Sequence, residues 1–278
     1  MKIIFISGIS SGIGYAAADF FLKQGHKVIG TYRKTQDADY FKKTYGEKFV
    51  GFEVDVTDFM KVDSLATQLK TAGIDRIDGL VNNAGIALAG PIEFQDFTEA
   101  QKIIQTNVLG LIKMTQVMIP FLRKSADGRI VNISSVSGVM GTPFLGMYCA
   151  SKHAVEGFSE ALRREMNLYA IKVSIVGPGS IKTPIWQKGF EIVATKYDHT
   201  EYKFSFHRFM KFAANEEKNG LDVSAVVHDI NHAMTSSAPK IRYAPVPRLF
   251  STRVLPTLFP KKIFDKMVCR ALGLVPKM

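Results

Sequence analysis

Short runs of apolar and β-branched residues alternate with longer helical stretches through the first two-thirds of this chain, and that alternation limits the available folds more than any other feature. The runs are Lys2–Ser7, Lys27–Tyr32, Phe49–Val54, Gly79–Asn82, Arg129–Ser134 and Lys172–Val176. The helical stretches between them begin near Gly12, Phe59, Thr98 and Tyr148. Strands that alternate with helices build βαβ units, and strands apolar along their whole length are those covered by helices on both faces of a parallel sheet. Pro120 is expected to end or bend the helix that starts near Thr98. Lys240–Tyr243 offers a seventh strand. No repeat or low-complexity linker interrupts the series, so residues 1–278 read as one α/β domain with a doubly wound parallel sheet of about seven strands.

A chain of 278 residues with 46% hydrophobic and 22% charged residues can bury a substantial core. Its two cysteines, Cys149 and Cys269, suggest neither a disulfide framework nor a metal site. The histidines give one i,i+4 pair, His228 and His232, with no carboxylate or cysteine set to complete a metal site, so no metal is expected. Lys2–Ile6 is too short for a signal peptide, and no apolar run reaches the ~18 residues of a membrane span. The expectation is a soluble, cytoplasmic protein.

Beyond Pro178-Gly179 the character changes. Residues 183–213 carry Trp186, Phe190, Tyr197, Tyr202, Phe204, Phe206, Phe209 and Phe212 among polar residues. This density suits a substrate lid over an apolar cavity, placed at 183–215, and it would equally pack the segment onto the domain. The last stretch, 245–278, is a basic extension. The net charge is +11, and positions 240–278 hold nine basic residues against Asp265 alone. Such a tail suits a membrane surface, an acidic partner or plain solvation. No recognition-helix motif accompanies it, so nucleic acid is not an expected partner. After Pro260 an amphipathic helix places Ile263, Phe264, Met267, Val268, Ala271 and Leu272 on one face and Lys261, Lys262, Lys266 and Arg270 on the other. Its apolar face can lie on a membrane surface, close over a substrate entrance or pack on the core.

Two constellations carry chemistry. Ser7-Gly8-Ile9-Ser10-Ser11-Gly12-Ile13-Gly14 follows the first strand and opens a helix. Glycines there let backbone N–H groups approach a pyrophosphate, to which the helix N-terminus adds its positive end. Tyr148 and Lys152 lie one helical turn apart, with Ser135 thirteen residues upstream of Tyr148. A phenol titrates near ~10, and an ammonium beside it stabilises the phenolate and draws the pKa towards neutrality. Tyr148 can then exchange a proton with a bound oxygen while Ser135 donates a hydrogen bond to it. Where an NAD enzyme has an acid at the end of the second strand, this chain has Tyr32, followed by Arg33 and Lys34, which can pair with a 2′-phosphate. NADP(H) is therefore expected over NAD(H), although Ser11 is neutral where many NADP enzymes carry a base.

Ser7–Gly14, Asn82-Asn83-Ala84-Gly85, Asn107, Ser135, Tyr148, Lys152 and Pro178-Gly179 with Thr183 follow the order and spacing of the short-chain dehydrogenase/reductase family, which the chain resembles over residues 1–185. Residues 141–164 are most similar to its hydroxysteroid and retinol dehydrogenase branch. The resemblance implies a Rossmann-type fold and a role for each residue. Tyr148 would be the general acid/base and Ser135 the donor to the substrate oxygen. Lys152 would hold the nicotinamide ribose and tune Tyr148, and Asn107 would anchor a water in a proton relay. Gly8, Ser10, Ser11, Gly12, Ile13 and Gly14 would cradle the pyrophosphate. Asp55 and Val56 would border the adenine, and Asn83, Ala84 and Gly85 the cofactor's middle. Pro178, Gly179, Ile181 and Thr183 would meet the nicotinamide. Ser7 replaces the usual threonine, and Gly177 the asparagine common before Pro-Gly. Such a protein would interconvert a lipophilic ketone or aldehyde and its alcohol, as a homodimer or homotetramer built on the helices near Thr98 and Tyr148. Alternatives are reduction of a 3-oxoacyl thioester on a carrier protein, and a nucleotide-binding regulator without chemistry, against which the intact Ser135, Tyr148, Lys152 and Asn107 set argues.

Overall fold

The computed structural model describes residues 1–182, 195–247 and 260–276. Seven parallel strands form one sheet: β1 (Ile3–Ile6), β2 (Lys27–Tyr32), β3 (Phe49–Glu53), β4 (Gly79–Asn82), β5 (Arg129–Ile133), β6 (Lys172–Val176) and β7 (Arg242–Tyr243), in the order β3-β2-β1-β4-β5-β6-β7. All six strands of the alternating series form, and the seventh is trimmed to two residues paired with β6. The chain winds outward from β1 to β3, then returns to lay β4 on the other side of β1. Loops leaving β1 and β4 therefore diverge and open a crevice at the carboxyl edge of the sheet.

The helices are α1 (Gly12–Lys23), α2 (Asp39–Tyr45), α3 (Phe59–Thr71), α4 (Phe97–Ile104), α5 (Gly110–Leu122), α6 (Gly146–Met166), α7 (Lys203–Lys218), α8 (Val223–Thr235) and α9 (Lys261–Leu272). Asp96 caps α4 by accepting the Thr98 N–H, and Asp58 caps α3 by accepting that of Lys61. A π-helical turn, Gln105–Leu109, joins α4 to α5. Pro120 falls in the last turn of α5, which runs two residues past it. The helix expected to open at Tyr148 begins two residues earlier, at Gly146.

Successive residues of each strand feed opposite layers, as a pleat requires. Ile4 and Ile6 of β1 pack with Phe21 of α1, Phe41 of α2 and Ile230 of α8, whereas Phe5 packs with Leu65 of α3, Met114 of α5 and Leu162 of α6. Each fully buried aliphatic or aromatic side chain contributes roughly 1.5–3 kcal/mol. A third cluster lies above the carboxyl edge, where Phe144, Leu145, Tyr148 and Cys149 meet Tyr197, Phe206, Phe209 and Leu272.

A buried polar chain crosses the second layer. Asn82 Nδ2 donates to Thr115 Oγ1 (2.8 Å) and Asn132 Oδ1 (2.9 Å), and Asn132 Nδ2 donates to Ser159 Oγ (2.8 Å). It fixes α5 and α6 against β4 and β5, and so sets the height of the side chains those helices carry upward. An unmade buried hydrogen bond costs about 1–3 kcal/mol. Asn132→Ala leaves the Asn82 amide and the Ser159 hydroxyl short of a partner, and urea unfolding is expected to show a loss of that size; an unchanged midpoint would discount the chain as a fixing element.

Candidate active site

The crevice holds a cavity of about 800 Å³. Its floor is the loop from β1 into α1. Gly8 and Gly12 take positive φ values of 74° and 62°, which a side chain disfavours. The Gly8 N–H donates to Thr31 Oγ1 at 3.1 Å. A Cβ on Gly14 would run into the Gly8 carbonyl and the Asn83 amide, so Gly14 acts by permitting this packing and does not itself line the cavity. Asn83 Nδ2 donates to the carbonyls of Ser7 (3.0 Å) and Gly8 (2.8 Å), while Ser7 Oγ accepts the N–H groups of Asn83 and Ala84. The hydroxyl that Ser7 keeps in place of threonine is thus what ties the β1 loop to the β4 loop.

Gly8, Ser10, Ser11, Gly12, Ile13, Asn83, Ala84 and Gly85 line the cavity together with Asp55, Val56, Pro178, Gly179 and Ile181. Arg33 lines it and Lys34, one residue on, does not. Asp55 Oδ1 accepts from the Thr57 N–H and hydroxyl, which fixes the carboxylate at the rim. Tyr32 at the end of β2 lines the cavity beside Arg33, and Thr31, Lys102, Gln105 and Thr106 line it without having been anticipated. Lys102, Gln105 and Thr106 arrive from α4 and the π turn that follows it, for which the sequence has no local signal. Thr183, Trp186 and Phe190 lie outside the described residues.

Residues of the chain fit a dinucleotide here. A turn free of side chains meets a helix N-terminus at one end, a guanidinium and a carboxylate flank it, and hydroxyls occupy the other end. No helix of the described residues is long and apolar enough to cross a membrane.

At that other end, Ser135 follows β5 and precedes a short turn at Val136–Gly138. Its Oγ accepts the Ser137 N–H at 3.1 Å, which leaves its proton free to donate. Tyr148, in the first turn of α6, hydrogen-bonds to the Ser135 side chain. Lys152 Nζ donates to the Ile133 carbonyl at 2.9 Å and sits 5.8 Å from the Tyr148 ring centre. Burial pushes the Tyr148 phenol up to about 12, and the Ser135 hydrogen bond lowers it only in part. The expected depression of that phenol by Lys152 is not what dominates; burial is. Asn107 stands in the π turn, where the extra residue rotates it under the site. Its Nδ2 donates to the Ile86 carbonyl (2.9 Å) and Ser151 Oγ (3.0 Å), and its Oδ1 accepts the Ile86 N–H (2.8 Å). The Asn107 side chain thus binds the loop after β4 to α6 and does not line the cavity.

The aromatic segment forms a packed wall beside Tyr148. Tyr197, Phe206 and Phe209 are buried, and Phe206 meets Phe144 edge-on at 5.4 Å, whereas Phe204 and Phe212 are exposed. In the last helix Leu272 is buried, while Ile263 and Met267 remain about half exposed.

Burial lowers the Lys152 ammonium from its ordinary 10.5 to about 8, with the nearby Glu156 carboxylate opposing the shift. The unfolded chain therefore holds a proton between those two values that the folded chain has lost, and stability rises with pH across that window. Below pH 8 the full penalty applies, roughly 3 kcal/mol at about 1.4 kcal/mol per pKa unit. Lys152→Met is expected to raise stability near pH 7 and to lose that advantage as pH approaches 10.5. Urea unfolding of both proteins at the two pH values checks this, and a destabilised variant at pH 7 would reject it.

The sequence model of the family described as short chain dehydrogenase matches residues 2–192. The NADPH-dependent 3-dehydrocapnine reductase of Ornithobacterium rhinotracheale is 36% identical over 277 residues, 98% of either chain. The 3-ketodihydrosphingosine reductase of Bacteroides thetaiotaomicron is 38% identical over 219 residues, 79% of this chain and 78% of the relative. Among solved structures, ElxO with NADP bound superposes with a TM-score of 0.70 at 29% identity, over 88% of this chain and 97% of that one. With the glycine loop, the switch-point cavity and these likenesses together, the chain belongs to the short-chain dehydrogenase family and is an oxidoreductase of its Rossmann-type fold.

Proposed function

We propose that the protein reduces the ketone of a long-chain lipid to an alcohol, with NADPH as the hydride donor and Tyr148 as the general acid. The observation that carries this reading is the buried Ser135–Tyr148–Lys152 set at the mouth of a dinucleotide-sized cavity, with an aromatic wall beside it. A phenol held near 12 is fully protonated at neutral pH, which suits donation in the direction of reduction. Ser135, whose hydroxyl is hydrogen-bonded to Tyr148 here, turns its proton to the same oxygen and so stabilises the charge that develops there. Lys152 holds the ribose and backs the phenol with a donor that titrates near pH 8. Bound NADPH supplies the hydride to the carbonyl carbon, and the Tyr148 proton completes the alcohol. NADP(H) is preferred over NAD(H): no acid stands at the end of β2 to accept from a ribose hydroxyl, and Arg33 lines the cavity there. The NADPH-dependent relative and the NADP-bound neighbour support that preference.

Two relatives narrow the substrate. One relative is named for reduction of 3-dehydrocapnine and the other for reduction of 3-ketodihydrosphingosine, a lipid ketone, and likeness to the first extends over 98% of both chains. The Tyr148–Phe144–Phe206 cluster offers an apolar surface for the alkyl chain of such a lipid. NADPH oxidation with both ketones is the assay. Tyr148→Phe is expected to lower kcat by at least ~100-fold with NADPH binding retained, since a positioned acid contributes about 10²–10⁴-fold. Unchanged turnover would refute the mechanism, and activity only on short or thioester carbonyls would refute the substrate class.

A lipid substrate also accounts for α9. The half-exposed Ile263 and Met267 are flanked on the helix by Lys266 and Arg270, a pairing that suits the surface of an anionic membrane. The protein is expected to co-sediment with phosphatidylserine-containing vesicles and to lose at least half of that binding when Ile263 and Met267 are both changed to Asp; equal sedimentation would remove the membrane contact. Self-association through α4, α5 and α6 fits the exposure of Phe97 and Leu109 on that side.

A further inference from the structure

We infer that Arg242 is a positioning residue for the reaction, and that Gly177 stands in place of a side chain in order to admit it. Arg242 belongs to β7, the edge strand, well outside the motifs that mark the active site. Its side chain passes over Gly177 and reaches inward. Nε donates to Glu156 Oε2 at 3.0 Å, and Nη2 donates to Glu156 Oε1 at 3.1 Å and to the Ser135 carbonyl at 3.4 Å. Both charged side chains are largely buried, at 15% and 14% exposure, where a forked ion pair is held rigidly and is little screened.

The consequence follows from where the three groups sit. Glu156 lies on α6 one turn beyond Lys152 and two beyond Tyr148. Ser135 lies on the loop after β5. One guanidinium therefore closes the distance between the loop that carries Ser135 and the helix that carries Tyr148 and Lys152. Apart from the Ser135–Tyr148 hydrogen bond itself, the two are joined near the site by the Lys152 bond to the Ile133 carbonyl, so the fork supplies a second clamp of fixed angle.

Gly177 makes the arrangement possible. A Cβ at this position would collide with Nη2 of Arg242, while meeting the Ser135 carbonyl only at ordinary contact distance. Gly177 does not have positive φ, so its backbone conformation does not demand glycine. What demands glycine is the guanidinium above it. Gly177 and the arginine sixty-five positions later are thus two halves of one device.

This inference rests on the proposed role of Ser135 and Tyr148, and its test separates the two. Turnover is measured with NADPH and the ketone on which the unchanged enzyme is most active. Arg242→Met is expected to lower kcat by ~10- to 100-fold, the scale of a small misplacement of reacting groups, with NADPH affinity unchanged. Arg242→Lys keeps the charge towards Glu156 but not the fork, so it restores thermal stability without restoring kcat. In a Ser135→Ala background Arg242→Met should cause no further loss of kcat, because the residue acts through Ser135. Gly177→Ala, which disturbs the guanidinium alone, is expected to reproduce the fall in kcat, and it serves where Arg242→Met does not fold. Equal fold-losses in both backgrounds, or lower stability with kcat intact in Arg242→Met and Gly177→Ala, overturns the inference. Retained turnover in Tyr148→Phe overturns instead the catalytic reading on which it depends.

Discussion

Everything at the carboxyl edge follows from the reversal of winding between β1 and β4. Two adjacent parallel strands whose connections leave in opposite directions cannot be bridged by the same helix, so a crevice opens above them. The loops lining it are then held by short polar bonds. Ser7 Oγ joins the β1 loop to Asn83 and Ala84, and Asn83 returns two bonds to Ser7 and Gly8. Below, the Asn82–Asn132–Ser159 chain anchors α6, and Asn107 anchors the same helix from the side through Ser151. The site is therefore suspended from the sheet by buried hydrogen bonds, which fix angle as well as distance in a way that apolar packing does not.

Burial governs the chemistry as much as the shape. Tyr148 and Lys152 are 7% and 6% exposed, and in both the neutral form gains. The phenol becomes a weaker acid and the ammonium a stronger one, so their pKa values move apart, to about 12 and about 8. Burial therefore holds the phenol protonated at neutral pH. Lys152 carries a stability penalty at neutral pH for this, an expense common where function needs a buried titratable group.

The aromatic wall connects this chemistry to the substrate. Tyr148 belongs at once to the proposed catalytic set and to the apolar cluster of Phe144, Tyr197, Phe206 and Phe209. A carbonyl delivered to Tyr148 is thereby delivered beside a surface that favours an alkyl chain. The helix carrying Phe206 and Phe209 is tied in turn to the loop after β6, since Ser180 donates to Glu216 and the Leu221 N–H donates to the Ser180 carbonyl. The aromatic wall and that loop are one mechanical unit.

The strand series, the glycine loop and the Tyr148–Lys152 pair were legible in the sequence because each is written locally: short apolar runs between helical stretches, a turn beside a helix start, i,i+4 on one face; Asn107 was named only through the family resemblance. The α2, α7 and α8 helices were not legible in this way, since α2 is only seven residues long and α7 and α8 share one long interval between β6 and β7. The π turn that holds Asn107 and the approach of Lys102, Gln105 and Thr106 to the cavity also escaped, because both are decided by packing between segments far apart in sequence. The sequence by itself determined which chemistry the chain can carry: a nucleotide cradle and an acid–base pair. Only the tertiary structure decided how that chemistry is poised. It alone set the direction of the Tyr148 shift, since depth of burial is a property of the whole fold, and it alone brought Arg242 from the edge strand to Ser135 across the space that Gly177 leaves open.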